Sequence, residues 1–205
     1  MYKHNNLYGL VVCGGESSRM GSDKSLLIYH QKPQREHVYE VLQSICSEVF
    51  ISCNAEQSAD MDNRLPLIPD LQLFKNTGPM AALLTAFSYY PDKDFIICGC
   101  DYPFISENEL NGFLISLKYD RPASAFYNSD ENLYEPLLAL YTSDCYIMLK
   151  KQFSEKNYSL QYFLRSADAE KYYPSDLNLL KSADTPEEFA IASSLIKEQL
   201  MNCKK

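Results

Sequence analysis

The sequence predicts an α/β fold, a three-layer sandwich whose mostly parallel sheet carries helices on both faces. Three observations predict it. Short apolar runs bounded by turn residues alternate with segments of helical period. A Gly-Gly pair follows the first apolar run directly, in the string "GLVVCGGESSRMGSDKSLL" at residues 9–27. Finally, Gly14, Asn54, Asp70 and Asp101 each stand at or just beyond the carboxyl end of an expected strand. That is the edge at which parallel sheets bind ligands.

Taken in order, residues 8–13 form a short buried strand leading into the glycine loop. Residues 35–47 place Val38, Val41, Leu42 and Ile45 at helical spacing. Residues 48–53 (EVFISC) and 65–69 (LPLIP) are the second and third strands. Residues 79–90 follow a Gly-Pro pair, and Pro79 suits the first helical turn because its missing N–H would have no helical partner there. Residues 94–100 (DFIICGC) are the most apolar strand and run into Asp101. The string "SENE" opens a helix over 106–117, with Ser106 as N-cap and Glu109 completing a capping box. Strands at 123–127 and 136–141 flank the turn residues 128–132 (NSDEN). Helices over 143–153 and 159–164 and a last strand over 177–180 follow. The final helix opens at "DTPEE", with Thr185 as N-cap, Pro186 at N1 and two glutamates at the positive end of the helix dipole.

The 205 residues suit one domain spanning 1–205, with enough chain to bury a sizeable core. The net charge of −8 excludes non-specific nucleic-acid binding, which depends on Lys and Arg neutralising phosphates. No apolar stretch approaches the roughly 20 residues that cross a bilayer. The N-terminal apolar run passes into Gly-Gly without a small-residue cleavage site, so it reads as a strand and not as a signal peptide. The seven cysteines are odd in number and lack a CxxC pair, which points to a reducing cytoplasm instead of a disulfide framework. Cys98 and Cys100 read as buried strand thiols; the three histidines, none close in sequence, offer little for zinc.

The glycine loop fits neither familiar phosphate-binding template. A Walker A loop places Lys directly after its second Gly, whereas Ser22 and Asp23 separate Gly21 from Lys24. The dinucleotide fingerprint G-x-G-x-x-G fails because Gly14 and Gly15 are adjacent and the next glycine is Gly21. The physical content remains. Paired glycines after a strand let backbone N–H groups approach a base or phosphates. Arg19 offers a planar fork and Lys24 a mobile point charge. A lone Gly-Gly pair reads first as a turn beside two solvated cations; the full string carries more.

From Val12 to Lys24 that string resembles the signature loop of the nucleotidyltransferase superfamily, most closely L-A-G-G-x-S-x-R-M-G-x-D-K of the molybdenum cofactor guanylyltransferases. The likeness continues in order through "VFISCNAEQ", "LIPD", "TGPMAAL", "CGCDYPFIS", "YEPLLALY" and "ADTPEEF", covering nearly the whole chain. It implies one Rossmann-like domain of the nucleotide-diphospho-sugar-transferase kind, nucleotide-binding in its N-terminal part and acceptor-side over roughly 122–182. The implied reaction is Mg²⁺-dependent transfer of GMP from GTP to molybdenum-molybdopterin, with release of pyrophosphate. GTP and molybdopterin are the implied partners, with a cofactor-delivery protein or an acceptor molybdoenzyme beside them. Carried over residue by residue, Val12, Cys13 and Gly14 would meet the guanine through backbone groups. Gly15, Arg19 and Lys24 would face the triphosphate, and Asn54 and Asp70 would lie beside base or ribose. Gly78 belongs to the nucleotide-binding set, and Asp101 would hold Mg²⁺. Arg19, Lys24 and Asp101 are therefore the catalytic candidates.

Elementary chemistry agrees on Asp101, because a carboxylate at the mouth of an apolar strand needs a partner and a hard cation is a good one. The competing reading is a turn Asp ahead of Pro103. The attacking group is an anionic phosphate, so no Ser, His or Cys nucleophile is required. Departures from the family pattern are Cys13 for Ala, Ala82 for a second glycine, and Ser182-Ala183-Asp184 for N-x-N. Residues 128–136 hold no basic side chain, so Lys151 or Arg165 is expected to supply charge for the acceptor phosphate. Open alternatives are a CTP-dependent enzyme, one acting on a sugar or isoprenoid phosphate, and a non-catalytic nucleotide-binding module.

Overall fold

The computed structural model describes residues 4–13, 24–54, 57–58, 64–183 and 185–202; Gly14, Gly15, Arg19 and Asp184 lie outside the described residues. Strands β1 (His4–Val12), β2 (Cys46–Cys53), β3 (Leu67–Pro69), β4 (Asp94–Gly99), β5 (Ala123–Asn128), β6 (Leu133–Tyr141) and β7 (Glu170–Tyr172) form one sheet. Their order is β3-β2-β1-β4-β6-β5-β7. The β3, β2, β1 and β4 pairs are parallel. Only β6 is reversed, pairing antiparallel with β4 and β5, while β7 adds to β5 in parallel. The helices are α1 (Gln34–Gln43), α2 (Pro79–Tyr89), α3 (Glu107–Ser116), α4 (Cys145–Ser154), α5 (Leu160–Ser166) and α6 (Pro186–Asn202).

The central strands read as unbroken apolar runs because both of their faces are covered. Along β4, Phe95 and Ile97 face the core built by α2, α4 and α5. Ile96 and Cys98 face the opposite core, built by α1 and α3. Leu10 and Val12 of β1 join the first core, Leu7 and Val11 the second, which is the period of two expected of a strand. Each fully buried Leu, Ile or Phe contributes about 1.5–3 kcal/mol, so these central strands anchor the site that follows.

Three expectations about local structure are corrected. Residues 177–180 form a 3₁₀ turn instead of a strand, because the Asp176 carboxylate accepts from Asn178 N (2.9 Å) and Nδ2 (2.8 Å) and bends the chain. The last strand is β7, three residues long and too short to display a period. Cys46 and Ser47, expected in the first helix, belong to β2. The expected N-cap at Thr185 forms, and Glu188 extends it to a full box: Glu188 N donates to Thr185 Oγ1 (3.2 Å) and Thr185 N to Glu188 Oε2 (2.9 Å). At Ser106 only half forms. Glu109 N donates to Ser106 Oγ (3.3 Å), while the Glu109 carboxylate accepts from the Tyr172 hydroxyl (3.0 Å).

Two histidines that sequence spacing kept apart meet in space. The His30 and His37 rings stack with centroids 3.7 Å apart, and His30 Nε2 lies 2.8 Å from the Pro103 carbonyl. His37 Nε2 is buried without a hydrogen-bond partner. Burial first, and the His30 charge second, lower the His37 pKa to about 4. A folded-state value below the unfolded 6.5 means the fold binds this proton less well than the unfolded chain does. Its contribution is therefore complete above pH 6.5 and is lost as pH falls toward 4. Allowing for solvent screening, the loss is on the order of 2 kcal/mol. Urea unfolding of wild type and His37→Phe at pH 7.5 and pH 5 should show a smaller pH penalty in the variant. Equal penalties would mean the ring is not held neutral.

Candidate active site

The strand order reverses between β1, which leads outward to β2 and β3, and β4, which starts the other half of the sheet. A crevice therefore opens beyond the carboxyl ends of β1 and β4, where such sheets hold ligands. The ladders run one residue past those ends. Cys100 N donates to the Val12 carbonyl and Cys13 N to the Ser52 carbonyl, both at 3.2 Å. Val12 and Cys13 thus enter the crevice with these backbone groups already engaged by the sheet.

Around them the sequence candidates converge. Asn54, one residue past β2, closes a reciprocal turn with Gln57: Asn54 Oδ1 accepts from Gln57 N (2.8 Å), and Gln57 Oε1 from Asn54 N (3.1 Å). The Gln57 amide also reaches the Cys13 carbonyl at 3.4 Å, tying the two strand ends together. Asp70, one residue past β3, donates its N–H to the Cys53 carbonyl (2.9 Å) and accepts from the Ser52 hydroxyl (3.1 Å). Burial raises its carboxyl pKa, and the Ser52 hydroxyl opposes that. Lys24 opens a 3₁₀ turn, Lys24–Leu26, where the chain returns from the glycine loop.

Gly78 takes φ 60°, ψ −143° immediately ahead of Pro79 and α2. Only glycine adopts that region cheaply, so Gly78→Ala should cost about 1–3 kcal/mol, read as a lower melting temperature. An unchanged melting temperature would show that the turn relaxes freely. Ala82, the family departure nearby, is buried in the core, so its methyl is accommodated by packing.

Asp101 follows β4 by two residues and is half-buried, with its carbonyl accepting from Ala183 N at 3.3 Å. The missing side chain of Gly99 makes its place. A Cβ there would collide with Asp101 Oδ1 and stand 3.2 Å from Leu137 Cβ. Next to it, the buried Tyr102 hydroxyl donates to Glu135 Oε2 at 2.8 Å. Burial, then the charges of Asp101 and Glu135, push the Tyr102 phenol well above its usual range. Glu135 is raised chiefly by burial, against the pull of that hydrogen bond.

Asp101 and this pair border an open cavity of about 820 Å³ between the β5–β6 turn, the 176–182 segment and α6. Its walls carry six carboxylates (Asp101, Asp130, Glu131, Glu135, Asp176 and Glu188), and Lys181 is the one cation among the described lining residues. Neither Lys151 nor Arg165 lines it; Arg165 instead donates to the Asn132 carbonyl at 3.4 Å. Ile191 and Leu195 on α6 are 62% and 45% exposed, yet both line this cavity, giving it one apolar wall. Ser182 lies in the lining as well.

Sequence reasoning missed Tyr102, Glu135, Gln57 and Lys181. Glu135 stood inside the quoted string "YEPLLALY", but only the antiparallel pairing of β6 with β4 reveals that it faces Tyr102.

The described residues include no helix long and apolar enough to cross a membrane. Comparison with known proteins gives a consistent picture. Residues 9–171 match the family described as MobA-like NTP transferase domain. A "Probable molybdenum cofactor guanylyltransferase" of Flavobacterium johnsoniae is 34% identical over 68% of this chain and 70% of its own length. A "Molybdenum cofactor biosynthesis bifunctional protein" of Synechocystis is 30% identical over 89% of this chain, which spans about half (52%) of that protein. The crystal structure of molybdopterin-guanine dinucleotide biosynthesis protein A from Archaeoglobus fulgidus shares the fold, with TM-score 0.77 at 19% identity, over 93% of this chain and 99% of that one.

Proposed function

The chain belongs to the MobA-like NTP transferase domain family, and from that premise we propose that it transfers GMP from GTP to molybdenum-molybdopterin, releasing pyrophosphate. One observation carries this reading most directly. Asn54, Asp70 and Asp101 follow the carboxyl ends of β2, β3 and β4, at the same end of the sheet as Val12 and Cys13, and Asp101 borders the large cavity.

In the proposed reaction an oxygen of the acceptor's terminal phosphate attacks the α-phosphorus of GTP. The bond from that phosphorus to the bridging oxygen breaks, and pyrophosphate leaves with the electron pair. The attacking oxygen is already anionic, so the protein needs no general base. Its work is to position the two reactants and neutralise charge, at a few kcal/mol per well-placed contact. Lys24, and Arg19 in the glycine loop, would stabilise the departing pyrophosphate. Asn54 and Asp70 would position base and ribose.

The donors at the strand end suit magnesium, a hard cation that takes one or two carboxylates and completes its shell with phosphate oxygens and water. Asp101 would hold it. When bound it would supply charge neutralisation at the phosphates.

The acidic cavity sets the acceptor's orientation. Six carboxylates repel a phosphate but accept hydrogen bonds from the amino and ring N–H groups of a pterin. Ile191 and Leu195 offer a surface for the flat ring. The phosphate end would then point toward Lys24, and the ring toward Glu135.

Incubation with labelled GTP or CTP, Mg²⁺ and molybdopterin tests the reading. GMP incorporation with stabilisation by GTP over CTP is expected. Preferential CMP incorporation, transfer only to a sugar or isoprenoid phosphate, or nucleotide binding without pyrophosphate release would each replace it.

A further inference from the structure

We propose that Cys13 and Cys100 form an oxidisable dithiol that closes to a disulfide and takes the nucleotide crevice out of action. The two residues continue the parallel β1–β4 register, in which Val12 faces Gly99, by one step. The Cys100 N–H to Val12 carbonyl bond holds that register. Register neighbours on adjacent strands project to the same face; both side chains lie on the α1 and α3 side of the sheet. Adjacent strands are spaced about 4.8 Å apart, inside the Cα range of about 4.4–6.8 Å that a disulfide spans. The sulfurs are already 3.2 Å apart, and both cysteines are free thiols.

Access differs between the two. Cys13 is half-buried, whereas Cys100, Cys98 and Cys53 are buried. A hydroperoxide therefore meets Cys13 first. The Cys13 sulfur attacks one peroxide oxygen, the O–O bond breaks, and a sulfenic acid forms with loss of water or alcohol. The Cys100 sulfur then attacks the Cys13 sulfur; the S–O bond breaks and water departs with the Cys100 proton. Two thiols and one hydroperoxide thus yield one disulfide, one water and one further water or alcohol. A dithiol reductant reverses the bond by exchange.

The bond lies between the residue that starts the glycine loop and the residue that precedes Asp101. The bond brings to about 2.05 Å two sulfurs that stand 3.2 Å apart and locks the side-chain geometry at the point where the glycine loop and Asp101 are set. A misplacement on the order of an ångström at a reacting site costs about a hundredfold in rate.

The test treats reduced protein with a small excess of hydrogen peroxide, alkylates the remaining thiols and maps the peptides. The expected result is a loss of two hydrogens in mass, five of the seven thiols still alkylated and a peptide pair joining Cys13 to Cys100. The oxidised protein should lose its thermal stabilisation by GTP and about a hundredfold of transfer rate, both restored by dithiothreitol. Cys13→Ala and Cys100→Ala, each compared with its own reduced form, should show neither the bridge nor a reversible loss. A bridge from Cys13 to Cys53 or Cys98, oxidation that stops at Cys13, or a bridge with undiminished GTP stabilisation would overturn the proposal. The mapped bridge and the GTP shift do not depend on the acceptor, so failure of the proposed transfer reaction would be seen separately.

Discussion

Asp101→Asn is expected to lose GMP transfer by about a hundred- to a thousandfold while leaving the melting temperature almost unchanged. The two side chains have the same shape, so the space left by Gly99 is filled as before. The carboxylate adds to the influences that raise Tyr102, Glu135, Cys98 and Cys100. The amide removes that influence while keeping the side chain's packing, so the fold is expected to hold. Function requires the same charge, because a neutral amide neither holds a hard cation nor balances phosphate charge as a carboxylate does. Labelled GMP incorporation and calorimetry on the same preparation separate the two effects. Full activity in Asp101→Asn would remove this residue from the catalytic set, and a collapsed melting temperature would make its role structural.

The strands that build this crevice were legible in the sequence because their runs are bounded by turn residues and buried on both faces. Asn54, Asp70 and Asp101 needed no pairing information: a polar residue closing an apolar run already marks a strand's carboxyl end. Thr185 was equally legible as an N-cap, since Thr-Pro-Glu-Glu is a local pattern of four residues. What stayed hidden depends on contacts distant in sequence. The Tyr102–Glu135 bond joins residues 33 apart through the reversed strand β6. The His30–His37 stack depends on where α1 begins relative to the 101–105 segment. Residues 177–180 misled because four apolar-rich residues fit a strand or a 3₁₀ turn equally well, and Asp176 decided between them.

Glu135→Gln is expected to raise the KM for the acceptor about ten- to a hundredfold and leave the KM for GTP unchanged. A hydrogen bond to a charged group contributes about 1.5–3 kcal/mol, and each 1.4 kcal/mol is about tenfold in affinity. Glu135 Oε2 is committed to the Tyr102 hydroxyl, so the wild-type side chain has its other oxygen to offer the cavity. Glutamine can keep the Tyr102 bond through its carbonyl, but it then presents an NH₂ donor to the pterin's own donors. In the proposed arrangement the mismatch falls on the acceptor alone, because the nucleotide would lie on the far side of Asp101. The pH dependence gives a second readout. Burial raises the Glu135 carboxyl above the ordinary range, so it takes up a proton earlier than an exposed glutamate as pH falls. The wild-type acceptor KM should accordingly rise in mild acid, and in Glu135→Gln that limb should flatten. Tyr102→Phe, which removes the positioning hydroxyl but keeps the charge, should move the acceptor KM in the same direction by a smaller factor. A rise in the GTP KM with the acceptor KM unchanged would place the nucleotide, and not the acceptor, against Glu135.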